Sequence, residues 1–167
     1  MLVEFKELGE SSKIWIYQTD RFITSSDEKK ITDTFTVFCQ QWEAHGTPLR
    51  TSFKIEHHYF IILGVDEEYS NVSGCSIDGS VHTLKALQKE LTSDFFDRNR
   101  IAFFINNEVK TYSLPEVKQF FKANELDAKS LVFNNTITTK AEMQKKWLIP
   151  AGDSWLAKYI PNTTVAS

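Results

Sequence analysis

The chain has 167 residues, 41% of them hydrophobic and 25% charged, with a net charge of −3. This size and mix fit one globular domain that buries roughly 70% of the surface its unfolded form exposes. The acidic balance argues against a nucleic-acid binder, which needs clustered Lys and Arg against phosphates, and no apolar run approaches the ~20 residues that span a bilayer.

Met1 to Glu7 has neither the basic start nor the apolar core of a signal peptide, so a soluble, cytoplasmic protein is expected. Lys13 to Gln18, β-branched and aromatic, reads as a first strand. After a polar loop, Ser25 and Glu28 form a capping-box pattern. A helix then runs to about Ala44, with Ile31, Phe35, Phe38 and Trp42 on one face. Cys39 lies within that pattern and is expected to be a buried thiol. Gly46 suits a left-handed terminator, and Pro48 prevents the helix from resuming. Thr51 to Asp66 is too long for one strand and splits at a turn near Glu56, His57, His58 and Tyr59. The unbroken apolar run Phe60 to Leu63 predicts a central strand covered on both faces.

A polar connection from Glu67 to Gly79 leads to a second helix, from about Ser80 to Leu91. Arg100 to Ile105 is a fourth strand, and the Asn106-Asn107 pair turns it into a fifth ending near Tyr112. Ser113 and Glu116, with Pro115 between them, open a third helix that ends near Asn124. Leu131 to Phe133 is a short strand, and Thr139 with Glu142 opens a short helix bounded by Pro150. Asp153 is placed to cap a last turn carrying Trp155, Leu156, Tyr159 and Ile160.

Up to residue 105 the order is β-α-β-β-α-β, that of a ferredoxin-like core. The expectation is therefore an α+β domain over 1–160 with an antiparallel sheet, a C-terminal hairpin strand and short helices. A different α+β arrangement of the same elements is the competitor. Residues 161–167 read as a disordered tail. In the ferredoxin-like order the turn around His45, the stretch Gly74 to Ser80 and the Asn106-Asn107 tip share one end of the sheet, with His57 and His58 at the other.

The stretch Gly74-Cys75-Ser76-Ile77-Asp78-Gly79-Ser80 gathers two glycines, a thiol, two hydroxyls and a carboxylate ahead of a helix. Three readings apply. Structurally, Gly74 and Gly79 supply positive φ while Asp78 or Ser80 caps the helix. As a ligand site, backbone N–H groups around Gly74, Ser76, Gly79 and Ser80 hold an anion. As a catalytic site, Cys75 is a nucleophile with His45 as base and Asp78 as the orienting carboxylate. The structural reading ranks first, the anion site second and thiol chemistry third.

Other groups are weaker. Asp78 and His82 make at most half a metal site, and His57-His58 point to opposite faces of a strand. The two Cys form neither a disulfide framework nor a zinc spacing, so no metal or cofactor is expected.

Trp42-Glu43-Ala44-His45-Gly46, Phe60 to Leu63, Gly74 to Asp78, Phe96-Asp97-Arg98, Val132 to Asn135 and Asp153-Ser154-Trp155 together resemble a small family of uncharacterised bacterial proteins commonly labelled "ABC transporter ATPase". The resemblance covers nearly the whole chain and implies a bacterial source, but it brings no catalytic residues with it. The label and the residues disagree. A P-loop is Gly-x-x-x-x-Gly-Lys-Ser/Thr, and although Gly74 and Gly79 have that spacing, Ser80 stands where Lys is needed. The expected function is a binding or interaction domain with a protein or small-molecule partner. A thiol-dependent hydrolase or transferase is the alternative, and ATP hydrolysis a distant third.

Overall fold

The computed structural model describes residues 1–44, 46–66, 74–96 and 98–161, without the side chains of residues 44 and 74–77. The chain divides into two compact units, Met1–Asp97 with Thr136–Gln144, and Arg98–Asn135 with Lys145–Ser167. The sequence reading placed 1–160 in one α+β domain. The expected tail falls almost wholly on 162–167, outside the described residues.

In the first unit, strand β1 (Lys13–Gln18) is followed by helix α1 (Ser25–Gln41). The α1 N-cap is Thr24, whose capping box closes on Asp27 rather than on the Ser25 and Glu28 pair. Both pairs fit the pattern, and Arg21 decides between them by holding Asp27 through a 2.6 Å ion pair. The helix stops at Gln41 because Trp42 turns extended. A two-strand ribbon follows, β2 (Glu43–Ala44) and β3 (Thr47–Pro48), bent around Gly46 at φ 79°. β4 (Thr51–Glu56) and β5 (Phe60–Val65) form the expected hairpin, with His57 and His58 left-handed at its tip.

The sheet order is β1-β5-β4, all antiparallel, and every residue of β5 is buried. The continuous apolar run thus marks a central strand covered on both sides. Alternation along the strands sorts the two faces. On one face, Ile61 and Leu63 pack with Trp15, Tyr17, Phe53 and Ile55 under α1 and under α2 (Gly74–Leu91). From the helices come Ile31 and Phe35, then Leu84, Leu87 and Leu91. On the other face, Gly64 lies against Leu8, Phe5 and Ile14. A 3-10 turn at Phe5–Glu7 covers this face. The excursion 136–144 joins the same N-terminal segment: Ile14 N–H donates to Thr138 O at 2.9 Å, and Ala141 N–H to Glu10 O at 3.0 Å.

In the second unit, β6 (Arg100–Ile105) and β7 (Glu108–Ser113) pair across Asn106 and Asn107, both with positive φ as the hairpin requires. Helix α3 (Leu114–Lys122) begins with the expected Ser113 and Glu116 capping box and Pro115. Strands β8 (Leu131–Phe133) and β9 (Leu148–Pro150) complete a sheet of order β7-β6-β8-β9. Helix α4 (Lys140–Lys146) precedes β9 and opens on Thr139, whose hydroxyl accepts from Glu142 N–H at 3.2 Å. Val117 and Phe121 of α3 pack on Ile101, Phe103 and Val132. The last turn, Trp155–Tyr159, is capped by Ser154 rather than Asp153.

The α+β class holds, and both principal sheets are antiparallel. The ferredoxin-like arrangement needs correction. The order β1-β5-β4 supplies three of its four strands, but β6 joins the other sheet. Two local facts account for this. β6 finds an immediate partner in β7 through a tight turn, which avoids a long loop closure. The free edge of β1 is also taken, at Lys13, by a bridge to Thr139. The expected grouping of the Asn106-Asn107 tip with Gly74 to Ser80 rested on that fourth strand and goes with it.

Candidate functional site

Gly74 to Ser80 is not a loop before a helix; it forms the first turns of α2. Gly79 needs no positive φ. Its lack of a side chain admits Phe38 of α1, whose ring would lie 3.4 Å from an added Cβ. Asp78 is exposed within the helix, past any capping position. Ser80 is fully buried and hydrogen-bonds Tyr17. Burial pushes the Tyr17 phenol up, and the Ser80 hydrogen bond pulls part of the way back. Ser80 is therefore an inward-facing residue of the Leu84, Leu87 and Leu91 face rather than part of an anion cradle.

Of the catalytic candidates, His45 lies outside the described residues, as do the side chains of Cys75 and Ser76; Gly74 is placed only as the first residue of α2. β2, which ends at Ala44, packs against α2. The other thiol, Cys39, is buried in α1 and its pKa is pushed up to about 11, mainly by desolvation, so it is no nucleophile at neutral pH. Trp42 and Trp147 are both buried, and Trp147 donates to Asn135 Oδ1 at 2.9 Å, so neither lines an open pocket. Among the described residues no three His, Cys, Asp or Glu groups converge as metal ligands.

The strongest concentration of unspent charge lies on the sheet face of the first unit away from α1 and α2. An open groove of about 540 Å³ is lined there by Phe5, Lys6 and Glu10, by Lys54 of β4, and by Lys140, Met143 and Gln144. The Ser52, Lys54, Glu56 alternation of β4 carries Lys54 to this face. Its Nζ stands 4.4 Å above the Phe5 ring and 3.1 Å from Glu56 Oε1. Lys6 pairs with Glu4 at 3.1 Å in a solvent-exposed contact.

Lys140 is the exceptional member. Only 6% of it is exposed. Its Nζ donates to Leu8 O at 2.6 Å and Lys6 O at 3.2 Å, and sits 5.8 Å from the Phe5 ring centroid. Among the described residues no carboxylate pairs with it. A buried ammonium is costly without a counter-charge, and two carbonyls occupy only two of its three donors. The groove walls carry no thiol, hydroxyl or imidazole side chain. This arrangement can attract and hold an anion, but it supplies none of the usual acyl-transfer nucleophiles. Sequence reasoning missed it because Lys6, Lys54 and Lys140 are far apart in the chain and each sits in an ordinary polar context; only Lys54, by strand alternation, carried a signal.

No protein-family model matches the chain, and no curated protein or solved structure matches it.

Proposed function

We propose that the chain is a binding domain whose first unit holds a small anionic ligand in the groove of Lys6, Lys54 and Lys140. The observation that carries this is the buried Lys140 ammonium, which faces a groove lined by two further lysines and has only carbonyl partners. A ligand that binds only the folded state raises the melting temperature. Phosphate, pyrophosphate, citrate and ATP, compared at equal ionic strength, should include at least one anion that does so, and Lys54→Met should abolish the shift. A flat response across the panel overturns the proposal. Including ATP also tests the ATPase label, which the chain's lack of a P-loop disfavours.

The backbone N–H groups opening α2 remain a second place for an anion, but Ser80 is turned inward to Tyr17 and Asp78 adds a negative charge, which favours the groove. The enzyme alternative is a thiol-dependent hydrolase or transferase using Cys75 with His45. Because Cys39 is buried and holds its proton to about pH 11, iodoacetamide labelling of the native protein at pH 7 reads Cys75 alone. Labelling faster than a free thiol peptide supports an activated Cys75, whereas labelling that begins only near the ordinary thiol pKa of ~8.5 ends that reading. A cytoplasmic location is part of the same proposal; no helix among the described residues is long and apolar enough to cross a membrane.

A further inference from the structure

Resting on the anion-binding reading, we infer that the ligand of the groove is a small phosphomonoester that also carries hydroxyl groups. Its phosphate lies among Lys6, Lys54 and Lys140, and its hydroxyls lie toward Glu10 and Gln144. All three cations in the groove are Lys, and no Arg lines it. The guanidinium fork favours planar, bidentate partners such as a carboxylate, whereas an ammonium acts as a point charge with three donors. Three such charges around one point suit a compact dianion with three outward oxygens. Charge balance agrees: three lysines against the single carboxylate of Glu10 leave two positive charges within the lining. A phosphomonoester dianion neutralises both, and a monocarboxylate only one. Outside the lining, Glu4 and Glu56 pair with Lys6 and Lys54. Ion pairs open to solvent contribute little and exchange readily for a ligand.

Glu10 narrows the class. A carboxylate on the wall of a cationic groove repels a bare anion, and it gains only when the ligand also donates hydrogen bonds. Gln144 offers a carbonyl oxygen on the same wall, and Phe5 and Met143 supply apolar surface. The volume of about 540 Å³ exceeds the needs of inorganic phosphate and falls within the range of small-molecule sites.

Isothermal titration of the full chain with ribose 5-phosphate, ribose, inorganic phosphate and citrate, at matched ionic strength, tests this. Ribose 5-phosphate should bind about tenfold or more tightly than inorganic phosphate, the gain of one or two added hydrogen bonds, and ribose alone should not bind. Lys54→Met should weaken ribose 5-phosphate about tenfold or more through loss of a charge-assisted contact. Lys6→Gln, at an exposed position where folding is not at stake, should weaken it in the same direction. Glu10→Gln should shrink the preference for ribose 5-phosphate over inorganic phosphate without weakening inorganic phosphate. If citrate binds more tightly than either phosphate, the site is an anion site of another class and this inference fails. If no anion binds, the anion-binding reading itself fails.

Discussion

Gly64 decides how closely the N-terminal segment sits on the sheet. A Cβ there would stand 2.5 Å from Leu8 Cδ1 and 3.4 Å from Phe5 Cε2. Leu8 is only 2% exposed, so it can swing aside only by leaving its packed place. Gly64→Ala should therefore cost about 1–3 kcal/mol in urea denaturation. It should also be strongly non-additive with Leu8→Ala, because the second substitution removes the atom that the new methyl meets. Full additivity would mean that the close approach carries no energy. Ser80 shows the same point from the other side. As a residue type it fits a cap, a ligand contact or a core position equally, and only its place below Tyr17 selects the last.

Among the elements, α1 is anchored by a small network that the sequence shows only in outline. Arg21 Nη1 holds Asp27 Oδ2 at 2.6 Å, and its Nη2 donates to Leu91 O at 2.6 Å, joining the start of α1 to the end of α2. A cation at the C-terminal carbonyls of α2 and a carboxylate in the first turn of α1 both sit where the helix dipoles favour them. The Arg21 hydrogen bond, with the Thr24 contacts, lowers the Asp27 pKa to about 2. Because the folded-state pKa lies below the unfolded value of ~3.9, the stabilisation is complete above roughly pH 5 and is lost as pH falls toward 2. Asp27→Asn should lower stability at neutral pH and flatten its acid-side decline between about pH 4 and 2. An unchanged decline, measured by denaturant midpoints across that range, would place the acid sensitivity elsewhere. Capping boxes were legible at α3 and α4. At α1 two overlapping boxes were available, and Arg21 chose between them. The start of α2 was not legible, because Gly, Asp and Ser all read as helix breakers or caps while contacts with Phe38 and Tyr17 reward their helical placement.

For the molecule as a whole, the excursion 136–144 is the main departure from the expected plan. It leaves the second unit, bridges to Lys13 at the end of β1, and places Lys140 over the N-terminal segment. Lys140→Met removes the donor that serves the Lys6 and Leu8 carbonyls, and should destabilise by about 1–3 kcal/mol. Hydrogen exchange should quicken at the Ile14 and Ala141 amides, which tie the excursion down, while Ile61 and Leu63 in the central strand keep their protection. Uniform acceleration across the sheet would show that Lys140 supports the whole unit and does not act as a local strut.

Local patterns, by themselves, determined most of the strands, the three helix-forming stretches with apolar periodicity, both left-handed hairpin turns, the buried Cys39 and the double-sided burial of β5. Each depends on neighbours a few residues apart, through alternation, helical repeat or turn chemistry. Strand partnership was decided only by the tertiary structure, because β6 fits either sheet by composition and takes the partner that closes the shorter loop. The lysine groove was likewise decided only there. Lys6, Lys54 and Lys140 come together because the 3-10 turn, β4 and the returning excursion share one face of a sheet, and the field of a cluster depends on distances in space rather than on spacing along the chain.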